Sequence, residues 1–217
     1  MYSISEEKYI KAVYQLQKGG KAVSTNALAA RLHTKPASVT DMLKKLQGKK
    51  LLEYEPYYGV KLLKPGEALA ISLIRKHRLW EYFLVNKIGF GWDEVHEIAE
   101  ELEHIQNPAL IEKLDDFLGN PVIDPHGDPI PDKEGRLAIT DYKALTEVNP
   151  GSKVTFCSVG LQTHEFMKML NQKDIRLGAT IEVLAKYEFD QSLDVLLNES
   201  RQVSLSYRLT QYILIKS

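Results

Sequence analysis

Residues 119–136, GNPVIDPHGDPIPDKEGR, hold four prolines and three glycines. No helix can run through such a stretch, because each proline removes a backbone donor and clashes with the turn before it. It divides two hydrophobic periods. Before it, apolar residues recur at three-and-four spacing over several helix-length segments; after Pro150-Gly151 they fall in short β-patterned runs between polar turns. The fold class expected is therefore mainly α with a β C-terminal part.

The first helix reads EEKYIKAVYQLQ, with Ser5 as its N-cap, Ile10, Val13, Tyr14 and Leu16 as the inward stripe and Gly19-Gly20 as its end. Ser24 or Thr25 caps a short second helix carrying Leu28, Ala29 and Leu32. His33-Thr34-Lys35 makes a turn, and a third helix starts near Pro36 with Val39, Met42, Leu43 and Leu46 inward. Two short helices around a tight turn form a helix-turn-helix pattern, and LLEYEPYYGVKLLKP, turning around Pro56 to Gly59, reads as the β-wing of a winged helix. Candidate DNA contacts are Lys35 and Ala37 at the start of the third helix, Ser38 and Thr40 toward base edges, and Lys44, Lys45 and Lys49 toward phosphates.

Charge supports that division. Residues 1–64 hold twelve Lys/Arg against five Asp/Glu, whereas residues 90–135 hold two against thirteen. A basic N-terminal third points to a polyanion and an acidic middle to a cation.

The acidic middle belongs to LIRKHRLWEYFLVNKIGFGWDEVHEIAEELEHI, residues 73–105, which contains three of the six histidines. A helix over Asp93 to Ile105 places His96, Glu100, Glu103 and His104 on one polar stripe, opposite Val95, Ile98, Leu102 and Ile105. On the preceding helix, from Gly66 to about Lys87, His77 and Glu81 are one turn apart. Imidazole and carboxylate together suit divalent manganese, iron, cobalt or zinc. A third helix, ALIEKLDDFLG, leaves this module with more apolar surface than it can hide, so dimerisation is expected.

The bulk features exclude several classes. No window approaches the roughly 18 apolar residues of a membrane span, and a polar helix follows Met1 where a signal peptide would be apolar. The single cysteine, Cys157, allows neither an internal disulfide nor a thiolate cage, which fits the cytoplasm. Glu101-x-x-His104 matches the Glu-x-x-His element of di-metal carboxylate enzymes, the alternative reading, but those need a second such element and the flanking helices offer none. The domains expected are a winged helix-turn-helix at 1–64, a helical metal-binding and dimerisation domain at 65–136, a linker at 137–149 and a small SH3-like β-barrel at 150–217.

SVTDMLKKL in the helix-turn-helix, RKHRLWEYFL, VHEIAEELEH, the loop DPHGDPIP and the DIRLG turn together resemble the diphtheria toxin repressor family of metal-activated repressors, which includes the manganese transport regulators. The resemblance spans nearly the whole chain. It implies a cytoplasmic homodimer without enzymatic activity that binds a double-stranded DNA operator when activated by Mn2+ or Fe2+, with Zn2+ or Co2+ accepted in vitro, and that represses metal-uptake genes. It implies a regulatory site from Glu100, Glu103 and His104, joined by His77 in manganese-type members. A carboxylate at Glu100, where iron sensors usually carry cysteine or methionine, tilts the comparison toward manganese. It also implies an ancillary site from His77, Glu81 and His96, completed either by Gln162 and Glu165 of the C-terminal part or by Asp124 and His126 of the loop. One departure stands out. Where the family has a first-helix ligand this chain has Lys8, and where manganese-type members have a second acid it has Lys11. A charged ammonium cannot ligate a metal, and water, Glu7 or a reduced ligand set are the ways to close the gap.

Overall fold

The computed structural model describes residues 2–17 and 20–216; Gly19, expected in the end of the first helix, lies outside them. The chain forms two compact units. The first comprises residues 1–77, 100–112 and 131–136, and the second comprises 78–99, 113–130 and 137–217.

In the first unit α1 spans Ile4–Leu16 and is capped by Ser3 rather than the expected Ser5. Ser3 and Glu6 form a reciprocal capping box, the Ser-x-x-Glu spacing that satisfies two of the first turn's orphan N–H groups. Ser24 caps α2 (Thr25–Arg31), and α3 (Pro36–Gly48) opens on Pro36, whose missing N–H costs nothing in a first turn. β1 (Leu52–Glu55) and β2 (Gly59–Leu62) pair as an antiparallel hairpin. Gly59, at φ +106°, lies so close to Val23 that a Cβ would stand 2.6 Å from its carbonyl oxygen. Ile10, Val13, Leu28, Val39, Leu43, Leu46, Leu52 and Val60 are buried together beneath the hairpin and the three helices.

α4 is one helix from Lys64 to Phe83, starting two residues before the expected Gly66. Its last turns widen into a π-helical stretch, Leu84–Ile88, closed by Gly89 in the left-handed conformation. α5 covers only Val95–Leu102, not the expected 93–105, and α6 covers Pro108–Leu118. Pro108 disfavours helical backbone at Asn107. Glu103 and His104 consequently sit in the turn between α5 and α6.

In the second unit, β3 (Tyr142–Ala144), β4 (Lys153–Val159), β5 (Thr180–Lys186), β6 (Leu193–Leu197), β7 (Arg201–Leu205) and β8 (Ile213–Lys216) form an antiparallel sheet ordered β3-β8-β4-β5-β6-β7. The stretch 137–149, read as linker, thus supplies an edge strand. Among the described residues β3 and β7 do not pair, so the sheet is open and the expected closed barrel is not formed. Phe166, Met167 and Leu170 of α7 (His164–Gln172) and Leu209 of α8 (Tyr207–Thr210) bury the same core as Phe156, Val183, Val195 and Ile215. Helices cover what strand closure would otherwise have to hide, and register shifts in β4 and β5 curve the sheet.

Candidate functional site

In the second unit a buried cluster forms where α4 meets the proline-rich loop. Glu81, Asp124 and His126 each offer a ligand atom, all within 4.8 Å of one another, and all three residues are buried. His96 of α5 adds its Nδ1 at 3.2 Å from Glu81 Oε1. The loop is held by its own backbone: Asp124 Oδ1 accepts from the N–H groups of His126 and Asp128 at 2.8 and 2.9 Å. Gly127 between them has φ +88°, and a Cβ there would stand 1.9 Å from the Cys157 carbonyl oxygen. Only glycine lets the loop lie this close to β4.

Asp128 fastens the loop from the other side. Its carboxylate accepts from Arg78, from Ser158 Oγ at 3.1 Å and from Gln162 Nε2 at 3.2 Å. Gln162, one of the two expected C-terminal ligands, therefore bonds Asp128, and Glu165 is exposed in the first turn of α7. Of the two completions left open by the sequence, the loop pair Asp124 and His126 is the one brought to Glu81.

The His126 ring has a defined polarity. Its Nε2 lies 2.7 Å from the Trp92 carbonyl oxygen, which can only accept, so Nε2 is the donor and Nδ1 faces Glu81 Oε2 at 3.4 Å. A metal-binding histidine commonly has this arrangement, one nitrogen anchored to a carbonyl and the other aimed at the ion. Burial pushes the Asp124 carboxyl up to about 7, aided by the charges of Glu81 and Asp128 and opposed by His126 and Arg78. Burial disfavours the His126 imidazolium, but the hydrogen bond and charge of Glu81, with Asp124 and the Trp92 carbonyl, outweigh it and raise His126 to about 9. Two buried carboxylates and a histidine thus share one site, with Arg78 Nε 3.5 Å from Asp124 Oδ2. The donor set and its burial fit a divalent metal.

The residues of the first unit behave differently. Glu103 Oε2 lies 2.7 Å from His77 Nδ1 and accepts from Lys11 Nζ at 2.5 Å. Burial pushes the Glu103 carboxyl up, but the hydrogen bond from His77 and the charge of Lys11 prevail and hold it below the ordinary carboxylate value. His104 turns toward α1, where its Nδ1 is 2.6 Å from Glu7 Oε2, and Gln106 Nε2 donates to Glu7 Oε1 at 2.6 Å. Glu100 is half exposed, with Lys8 Nζ at 4.0 Å. His104 Nε2 is buried without a hydrogen-bond partner among the described residues. The expected stripe is thereby split. With α5 ending at Leu102, Glu103 points to Lys11 and His104 to Glu7, and among the described residues Glu100, Glu103 and His104 do not gather as three ligand atoms within 4.8 Å. An ammonium holds the central carboxylate, so this donor set does not fit a metal as it stands.

On the DNA-facing candidates, Lys35, Ala37, Ser38 and Lys44 are exposed, and Thr40 Oγ1 donates to the Pro36 carbonyl at 3.1 Å. Lys49 and Lys45 are exposed too, but reach Glu6 at 2.7 and 3.2 Å; hydrogen bonding from Lys49 chiefly holds the Glu6 carboxyl down to about 2. Sequence reasoning missed Tyr57 and Tyr58, both exposed at the hairpin turn, and the roles of Arg78, Asp128 and the Trp92 carbonyl. The repeated Asp-Pro in DPHGDP was the available signal for Asp128.

Comparisons with known proteins agree with this layout. Residues 1–60 match the iron-dependent repressor N-terminal DNA-binding domain, residues 64–132 the iron-dependent repressor metal-binding and dimerisation domain, and residues 143–217 the FeoA domain. The iron-dependent repressor IdeR of Mycobacterium leprae is 32% identical over 165 residues, covering 73% of this chain and 72% of its own. A solved structure of a manganese-dependent transcriptional repressor in complex with manganese superposes with TM-score 0.88 at 31% identity, covering 98% of this chain and 99% of the other. One of ScaR with bound Zn2+ superposes with TM-score 0.80 at 30% identity, covering 98% and 99%. Among the described residues no helix is long and apolar enough to cross a membrane.

Proposed function

Because the chain belongs to the iron-dependent repressor family, whose members are metal-dependent transcriptional repressors and not enzymes, we propose that it binds operator DNA as a homodimer when Mn2+ or Fe2+ occupies the Glu81–Asp124–His126 cluster. The observation that carries this is the buried trio itself, three ligand atoms within 4.8 Å of one another. His96, bonded to Glu81, is the fourth donor at hand. Glu81, Asp124 and His126 would hold the ion, whose charge would take the place of the protons on His126 and Asp124. The Trp92 carbonyl orients the His126 ring, and Arg78, Ser158 and Gln162 anchor the loop through Asp128. A nitrogen and oxygen donor set without thiolate favours manganese or iron over softer ions, and metal-uptake genes are the natural targets for such a sensor.

DNA recognition falls to α3 and the hairpin. Lys44 and Lys35 meet phosphates, Ser38 at the N-terminal part of α3 reaches base edges, and Tyr57 and Tyr58 lie against the backbone beside the groove. In the second unit Ile88, Phe117 and Val122 are more than half exposed, with Phe90 and Ile123 beside them in exposure. A second copy of the chain covers these residues, and two-fold symmetry then matches a palindromic operator.

The test is selection of duplexes from a randomised library in Mn2+, followed by fluorescence anisotropy on the selected duplex with Mn2+, Fe2+, Zn2+ or EDTA. Binding at least tenfold weaker in EDTA supports the reading. Equal affinity with and without chelator removes metal from it.

A further inference from the structure

We infer that the Lys11 ammonium replaces the metal of the site expected at Glu100, Glu103 and His104, so that this chain holds one divalent ion per subunit and carries a permanent cation where a second would go. The inference rests on the metal assignment above only for the ion that is counted, not for the lysine. Three observations carry it. Lys11 Nζ and His77 Nδ1 converge on the same Glu103 oxygen, at 2.5 and 2.7 Å, which leaves that atom no room for an ion. Lys11 and Glu103 are both buried, so the pair is shielded from solvent and its strength does not depend on an exchanging ligand. Lys8, on the same face of α1, lies at 4.0 Å from Glu100 and adds a second positive charge to the approach.

α1 in fact presents both signs. Glu7 and Lys11, one helical turn apart and both buried, bind His104 with Gln106 and Glu103 respectively. Lys11 and Glu7 thereby tie α1 to the α5–α6 turn through Glu103 and His104. A divalent ion bound at Glu103 would sit within a few ångströms of a fixed ammonium, and the repulsion is strong in a buried setting. Removing the lysine without replacing it would leave the buried Glu103 without its ammonium partner, and replacing it by a carboxylate would set an oxygen donor beside Glu103 in its place.

The experiment counts Mn2+ per chain by equilibrium dialysis and elemental analysis on the full-length protein freed of metal. Expected are one ion in the native chain, lost in His126→Ala but kept in Glu103→Gln, one ion in Lys11→Arg, which preserves the cation, and two in the double variant Lys8→Asp with Lys11→Glu, the added one abolished by Glu103→Gln. Two ions in the native chain, or one that is lost in Glu103→Gln and kept in His126→Ala, overturns the inference. If the native chain binds none while the double variant binds one at Glu103, the lysine inference stands and the Glu81–Asp124–His126 assignment fails. If neither binds Mn2+, both fail. Lys11→Arg guards against misfolding, since it retains the buried pair and its count is informative even where the double variant is unstable.

Discussion

Metal binding to the Glu81–Asp124–His126 cluster is expected to be steeply pH-dependent, with a slope that follows from the geometry. The Trp92 carbonyl fixes Nε2 of His126 as a donor, so an ion must take Nδ1, and Nδ1 carries the proton that Glu81 stabilises. That proton leaves at about 9 and the Asp124 proton at about 7 in the metal-free protein. Below pH 7 an entering ion expels both, between 7 and 9 it expels one, and above 9 neither. The apparent affinity for Mn2+ therefore rises by about a thousandfold from pH 6 to pH 8. For an ordinary histidine and aspartate the same interval gives roughly fourfold. Competition against a fluorescent chelator at pH 6, 7 and 8 measures the affinity, and calorimetry in buffers of different ionisation enthalpy counts the protons. A gain of fourfold or less, or a release well under one proton at pH 7, would refute the reasoning.

The remaining expectations are brief. In EDTA the protein should melt several degrees lower at pH 9.5 than at pH 6.5: His126 and Asp124 both bind protons more tightly folded than unfolded, so their contribution is full at low pH and is lost as pH rises through about 7 and then about 9. Mn2+ should restore the difference, and scanning calorimetry checks both. Gly127→Ala should cost about 3 kcal/mol or more, because a Cβ meets the Cys157 carbonyl in a left-handed backbone, and it should weaken Mn2+ binding although Gly127 is not a ligand; dialysis and urea unfolding report the two effects. Glu7→Ala should destabilise by about 1–3 kcal/mol by leaving the largely buried His104 ring without its partner, seen as a lower urea midpoint. Lys44→Ala should leave stability unchanged and reduce the slope of log affinity against log salt by about 0.9 if it meets one phosphate.

Helices, hairpin and strands were readable from the chain because their signals are local: Pro36 at a helix start, Ser24 before α2, three-and-four spacing in α1 and α3, and alternation in β4 to β8. The donor types were also readable, since histidines and carboxylates crowd residues 73–105 and the DPHGDP loop. What sequence could not decide was where those donors go. Helical periodicity put Glu103 and His104 on a stripe with His96 and Glu100, but α5 stops at Leu102, and one residue past a helix end the 100° rule no longer applies. Only the folded backbone sends Glu103 to Lys11 and His104 to Glu7. Likewise, the loop ligands were one of two alternatives until Gly127 was seen against Cys157, holding Asp124 and His126 beside Glu81, with Gln162 bonded to Asp128. The chain's composition determined that a hard-metal donor set and a basic helix-turn-helix were present, because those are properties of residue type and local period. Which donors share one pocket, and that an internal ammonium occupies another, was decided by contacts between residues as much as ninety-two positions apart, and no local pattern encodes such distances.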